Sequence, residues 1–239
     1  MPAMGTMVFA NPTGPPPAAE TKEPEMDVSE AIRTRRSTRE FTAQTISRAV
    51  VTQILDEARW APSWANAQDW HVFAVTGERL GAYKTMMADM IDAGADPDPD
   101  VRFPQRGDWP EYIQERMTYR RPSPGAPAAP PQRPGLARLY GAQWMLLFAV
   151  DEGLVTEYAC FDTGLLVQSV CLAAHSRDLG TCIMAMPVRH AAALHELVPE
   201  AAGRRFVIAV ALGHPDTDSP LNRVERERAQ LADIATFLE

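Results

Sequence analysis

Seven residues near the start of the chain, Arg35-Arg36-Ser37-Thr38-Arg39-Glu40-Phe41, carry three guanidinium groups and two hydroxyls. A second basic group, Arg223, Arg226 and Arg228, stands near the other end. Guanidinium is a planar fork of donors that meets phosphate oxygens two at a time. If the fold joins the two groups, they suit one dianionic phosphate, with Ser37 as a neutral donor. A third segment, Pro62-Ser63-Trp64-Ala65-Asn66-Ala67-Gln68, offers Ser63, Asn66 and Gln68 to hydrogen-bond a flat heterocycle or its ribityl chain. None of these is a nucleophile paired with a base, and neither a Ser-His-Asp nor a Cys-His arrangement suggests itself. A cofactor would have to carry the reaction.

Two other readings compete for the arginines. The chain uses 21 arginines and two lysines, Lys22 and Lys84, so arginine is its default cation and a basic run can be plain solvated surface. Nucleic-acid binding needs many neutralised phosphates, and a formal net charge of -8 argues against it. A metal centre finds no support in the spacing. His190 and His195 are the wrong distance apart for a His-Glu-x-x-His motif, and Cys160, Cys171 and Cys182 form no Cys-x-x-Cys pair. An odd number of cysteines points to a reducing compartment, hence the cytoplasm.

The elements that must position these groups follow from periodicity. At 239 residues, 46% apolar and 23% charged, the chain can bury a real core, and no apolar run approaches the ~18 residues that cross a bilayer. Residues 1–26 read as a flexible Pro/Ala-rich tail rather than a signal peptide. Asp27 caps a short helix through Val28 and Ile32. Ser47 caps a second, in which Val50, Val51, Ile54, Leu55 and Ala58 recur at helical spacing. A strand over 70–77 precedes a helix with Leu80, Tyr83, Met87 and Ile91 along one side. Residues 96–135 are proline-dense and aperiodic, and read as a lid or insertion with one short helix opened by Pro110. Its Trp109, Tyr112 and Tyr119 are candidate substrate contacts. Beyond it come a strand at Trp144–Asp151 and a helix over 156–180, apolar nearly all round and so expected to be central and buried. Asp162 stands near the start of that helix, where the dipole favours a carboxylate. Strands at 181–187 and 205–213 flank a further helix. The lack of strict β-α alternation and of a Gly-x-Gly-x-x-Gly after the first strand argues against a Rossmann domain. The expectation is an α+β domain, 27–239, around a central sheet.

Four segments, "RRSTREF", "APSWANAQDWHVFAVTG", "DTGLLVQSVCLAAHSRDLGTC" and "ALGHPDTDSPLNRVERERAQLADIATF", resemble the nitroreductase family of FMN enzymes in order and spacing. The resemblance spans roughly 27–95 and 136–239. It implies a nitroreductase-like fold: a homodimer with a mixed or antiparallel sheet flanked by helices and two FMN molecules at the subunit interface. It also implies a ping-pong passage of hydride from NADPH or NADH to a small aromatic acceptor, a nitroarene or quinone. On that resemblance Arg35, Arg36, Ser37 and Arg39 hold the FMN phosphate and pyrimidine edge, with Arg39 stabilising the reduced flavin. Pro62, Ser63, Trp64, Asn66 and Gln68 come from the other subunit. Thr181, Cys182, Ile183 and Met184 lie against the isoalloxazine, and Arg226 and Arg228 add phosphate ligands. Asp69 stands where the family usually reads proline, and the 96–135 segment matches no family pattern. Reductive dehalogenation, oxygen-dependent flavin cleavage and dehydrogenation are sibling chemistries of the same scaffold. A non-catalytic phospholigand binder is the alternative from another class.

Overall fold

A computed structural model of the chain describes residues 26–118, 120–121 and 133–239; the expected tail up to residue 25 and the candidate Tyr119 lie outside the described residues. In chain order the elements are α1 (Val28–Thr34), α2 (Arg48–Ala58), β1 (Trp70–Val75), α3 (Gly77–Asp92), α4 (Glu111–Arg116), β2 (Arg120–Arg121) and α5 (Arg133–Ala137). After these come β3 (Trp144–Asp151), α6 (Thr156–His175), β4 (Gly180–Met184), α7 (Ala191–Leu197), β5 (Arg204–Gly213) and β6 (Glu225–Arg226).

Strand β3 is buried from Trp144 to Val150, so both faces of the sheet must be covered. Successive side chains point to opposite faces. Met145, Leu147 and Ala149 join Leu80, Tyr83 and Met87 of α3 and Leu194 of α7 in one core. Trp144, Leu146 and Phe148 join Val51, Ile54 and Ala58 of α2 and Leu166, Val170 and Ala174 of α6 in the other. The strand order is β1-β3-β5-β4 and every pairing is antiparallel, which narrows the expected mixed or antiparallel sheet to the antiparallel form among the described residues. β4 is an edge strand. Both expected helix caps are present: Asp27 accepts from the Glu30 N–H and Ser47 from the Val50 N–H.

Two expectations need correction. Helix α6 is not buried all round. Ala159, Leu166, Val170 and Ala174 pack inward, but Tyr158 is 59% and Phe161 65% exposed. An all-apolar circumference has a second cause besides central burial, a face that needs another covering. Asp162 does not serve the helix dipole, because the first-turn acid is Glu157 and Asp162 sits one turn further on, 2% exposed.

The insertion is tied down at both described ends. Asp98 accepts from the Ala192 N–H, and Asp100 accepts from the Phe206 N–H and contacts His195 Nε2 at 2.9 Å. Further on, β2 pairs with β6, with Arg120 opposite Arg226. The short helix is α4, with Pro110 as its N-cap rather than inside it. No helix among the described residues is long and apolar enough to cross a membrane.

Candidate cofactor site

The segment after α1 crosses the ends of β4 and β5, and two glycines let it come close. A Cβ on Gly180 would stand 2.5 Å from Thr38 Oγ1 and 2.9 Å from Thr38 Cβ, and one on Gly213 would stand 2.7 Å from Phe41 Cδ1. With both side chains absent, Thr38 donates its N–H to Thr181 O at 2.8 Å and Ser37 bridges Thr181 on the outer edge of β4. This contact holds the front arginines against the edge strand.

The C-terminal segment is clamped to the same place by Asn222. Its Oδ1 accepts from the Arg39 N–H at 2.6 Å, while Nδ2 donates to Glu40 O and Asp216 O, each at 2.8 Å. Its carbonyl accepts from Arg36 at 3.2 Å. Arg226 then reaches across to donate to Ser37 O at 3.1 Å. The two basic groups, far apart in sequence, are therefore joined. Arg33, Arg35, Arg36, Arg226 and Arg228 line a cavity of about 550 Å³ together with Ile32, Thr34 and Val224. Arg223 is turned away, donating to Asp218 at 3.0 Å.

The electrostatics mark this cavity as an anion site. Burial, then the charges of Arg39, Arg35, Arg36 and Arg228, pull the half-buried Arg226 guanidinium down to about 10. Cations crowded and desolvated in this way are costly until an anion joins them. A phosphate dianion meets that need with bidentate, charge-assisted hydrogen bonds. The arginine set thus fits the phosphate end of a flavin nucleotide.

On β4, Thr181, Cys182 and Met184 are buried, and Ile183 is 41% exposed. Strand alternation puts Thr181 and Ile183 on one face and Cys182 and Met184 on the other, in the core, and of the first pair Ile183 is the exposed one. The Cys182 thiol is pushed up by burial, against the opposing pull of Arg39, Ser37, Arg226 and Arg35, so it stays protonated at neutral pH.

The Pro62–Gln68 loop lies elsewhere in the chain. Asp162 Oδ2 accepts the Trp64 N–H at 2.8 Å, fixing the loop to the second turn of α6. The arginines sit by the other end of that helix, where Thr34 Oγ1 meets His175 Nε2 at 2.8 Å. His175 lies thirteen positions beyond Asp162 along the helix, a rise of about 20 Å. The loop is stiff on its own account: Gln68 donates its N–H to Ser63 Oγ, and Ala65, Asn66 and Gln68 hold positive φ of 48°, 60° and 51°. Such angles are uncommon outside glycine and cluster where function over-determines the backbone. Asn66 and Gln68 are exposed, as is Trp64, whose ring meets Tyr158 edge-on at 6.4 Å. Asp69 follows. Burial raises its carboxyl pKa, against its own backbone hydrogen bond and with help from Asp162 and Asp151, and its buried Oδ1 has no hydrogen-bond partner.

Of the candidate substrate contacts, Trp109 and Tyr112 are exposed on the insertion, with the Arg116 guanidinium 5.3 Å from the Tyr112 ring. The structure does not bring them to the arginine cavity. Sequence reasoning missed Asn222 and the role of Asp162. A lone carboxylate on an otherwise apolar helix face is a usable signal for the second, since burial demands a partner. Nothing in "SPLN" singles out the first.

Comparison with known proteins bears on the family and the fold. A sequence model described as the nitroreductase family matches residues 32–214. The chain is 29% identical to the 4-nitrobenzoate reductase of Pseudomonas putida, covering 85% of this chain and 93% of that protein. It is 28% identical to the nitrobenzene nitroreductase of Ectopseudomonas oleovorans, covering 88% and 96%. Among solved structures, the FMN and NADPH-dependent nitroreductase NfnB of Sphigopyxis sp. strain HMH superposes with a TM-score of 0.81 at 26% identity, covering 90% of this chain and 100% of that one. The fold, the four ordered segments and the family match leave one assignment, and the chain belongs to the nitroreductase family.

Proposed function

We propose that the chain is an FMN-dependent oxidoreductase that uses NAD(P)H to reduce nitroaromatic compounds, with NADPH as the principal donor. The observation that carries this reading is the convergence of both arginine groups on one cavity beside the edge of β4 that Ser37 and Thr38 bridge at Thr181. The chemistry named for relatives that match over most of their length supports the acceptor class, and the NADPH dependence named for NfnB supports the donor.

Residue roles follow from position. Arg35, Arg36, Arg226 and Arg228 bind the phosphate, with Ser37 beside them. Arg39, anchored through its own N–H to Asn222, supplies fixed positive charge where negative charge develops on reduction. Ile183 gives the ring an apolar floor on β4. FMN supplies hydride acceptance and delivery at its N5, and the protein's task is to orient donor and acceptor there in turn and exclude water.

The distance between the loop and the arginines in one chain supports a shared site. One copy contributes its arginines and β4, and a second contributes Ser63, Trp64, Asn66 and Gln68. The exposed apolar set Trp60, Trp64, Val155, Tyr158 and Phe161 is the face that the second copy covers. Three free cysteines suit a reducing cytoplasm. Trp109 and Tyr112 remain proposals for acceptor selection from the insertion. The direct test is the absorbance and mass of the cofactor released from the purified dimer. One FMN per chain supports the reading; a colourless protein that takes up no added FMN refutes it.

A further inference from the structure

Helices α1 and α6 end together, at the point where both site segments begin. Thr34 closes α1 and is followed by Arg35, while His175 closes α6 and the next turn leads to β4 and Thr181. Thr34 Oγ1 donates its single hydroxyl proton to Glu30 O at 2.7 Å. In its 2.8 Å contact with His175 Nε2 the hydroxyl must therefore accept, so Nε2 carries a proton and Nδ1 is the atom that titrates. The charged groups around the ring are Glu30 of α1, Arg35 and Arg36 of the segment after it, and Asp178 of the turn after α6. His175, Arg35, Arg36 and Asp178 line a second cavity of about 360 Å³ together with Arg223, which is held by Asp218.

We propose that His175 is a positioning residue for the cofactor phosphate: it holds the end of α1 through Thr34 and takes up a proton at Nδ1 as the dianion binds against Arg35 and Arg36. The proposal rests on the assignment of FMN to the arginine cavity. Before the anion binds, burial and then Arg35 hold the imidazole pKa below its usual 6.5, with Arg36 adding to them and Asp178 and Glu30 opposing. The folded apoprotein therefore binds fewer protons than the unfolded chain near that pH, and loses stability as pH falls through 6.5. A dianion neutralising Arg35 and Arg36 removes their share of the lowering, leaving that of burial, and so raises the pKa. By linkage, FMN affinity then gains from His175 at low pH and loses the gain as pH rises through the imidazole pKa of the complex.

The test is FMN titration of the apoprotein between about pH 5.5 and 8.5, for wild type and His175→Gln, with riboflavin as the phosphate-free probe. Glutamine keeps a donor for Thr34 but does not titrate. The second ionisation of the phosphate, near pH 6, strengthens binding with rising pH in both proteins, so the readout is the wild-type-to-variant ratio. That ratio should favour wild type at low pH, by up to about tenfold for each unit of imidazole pKa rise. It should fall towards one at high pH, and stay flat for riboflavin. A pH-independent ratio for FMN overturns the proposal. Histidine ¹⁵N spectra of the wild type read the same event without a variant: FMN must move the His175 Nδ1 titration to higher pH, and an unmoved titration overturns it too. Absence of FMN binding at every pH is a distinct result, which overturns the cofactor reading and this proposal with it.

Discussion

Arg226 has the most crowded charge of the site residues: it is half-buried, bonded to Ser37 O and close to four other arginines, a setting that an anion would relieve. On the proposed phosphate assignment, its replacement by alanine removes one charge-assisted contact, so FMN affinity should fall by about 2–3 kcal/mol. A fluorescence titration measures this, and the apoprotein should gain slight stability from relief of like-charge crowding. Asp69 gives an independent residue-scale test. A carboxyl whose folded pKa is raised stabilises the fold only while protonated, so its cost appears as pH climbs above the unfolded value near 3.8. Asp69→Asn should therefore raise Tm at pH 7 and change it less at pH 4. An equal change at both would show that the ionised form is not what the fold resists.

At the scale of elements, the site depends on how closely the Arg35–Phe41 segment lies on the sheet. Gly180→Ala places a methyl within 3.0 Å of three Thr38 atoms, so Thr38 must move and its bond to Thr181 O must lengthen. FMN affinity should fall at least tenfold while the helical circular dichroism stays near wild type. Asn222→Ala unpairs the Arg39 N–H and two carbonyls, and should cost about 1–3 kcal/mol in urea unfolding together with weaker FMN binding. These contacts mark the boundary of what the sequence could reveal. The strand at Trp144–Asp151, the caps Asp27 and Ser47, and the periodic faces of α2 and α3 are local patterns, and were legible in one dimension. The joining of Arg226 to Ser37 depends on Asn222 and two close-approach glycines, which carry no periodic signal. Helix α6 misled for a related reason: an apolar circumference does not say what covers each face, and this chain alone leaves Tyr158 and Phe161 uncovered.

At the scale of the whole molecule, a site shared between the Pro62–Gln68 loop and the arginines requires two copies. Glutamate at both Tyr158 and Phe161 buries charge in the proposed interface. The variant should sediment as a folded monomer that has lost FMN; a dimer with full flavin would place the interface elsewhere. Shared sites also predict complementation. Asn66→Ala and Arg226→Ala homodimers should each bind FMN poorly, while mixed dimers should recover one intact site of two, visible as half the flavin content. No recovery in verified heterodimers would put the loop and the arginines in separate sites. The proposed activity is electron transfer from NADPH through bound FMN to a nitro group. It is tested most directly by an anaerobic absorbance titration of the purified protein with NADPH, followed by 4-nitrobenzoate. The flavin bands should bleach with the first and return with the second, with loss of the nitro compound in proportion. Bleaching that only oxygen reverses would contradict the assigned acceptor, and bands that NADPH leaves untouched would contradict the assigned donor.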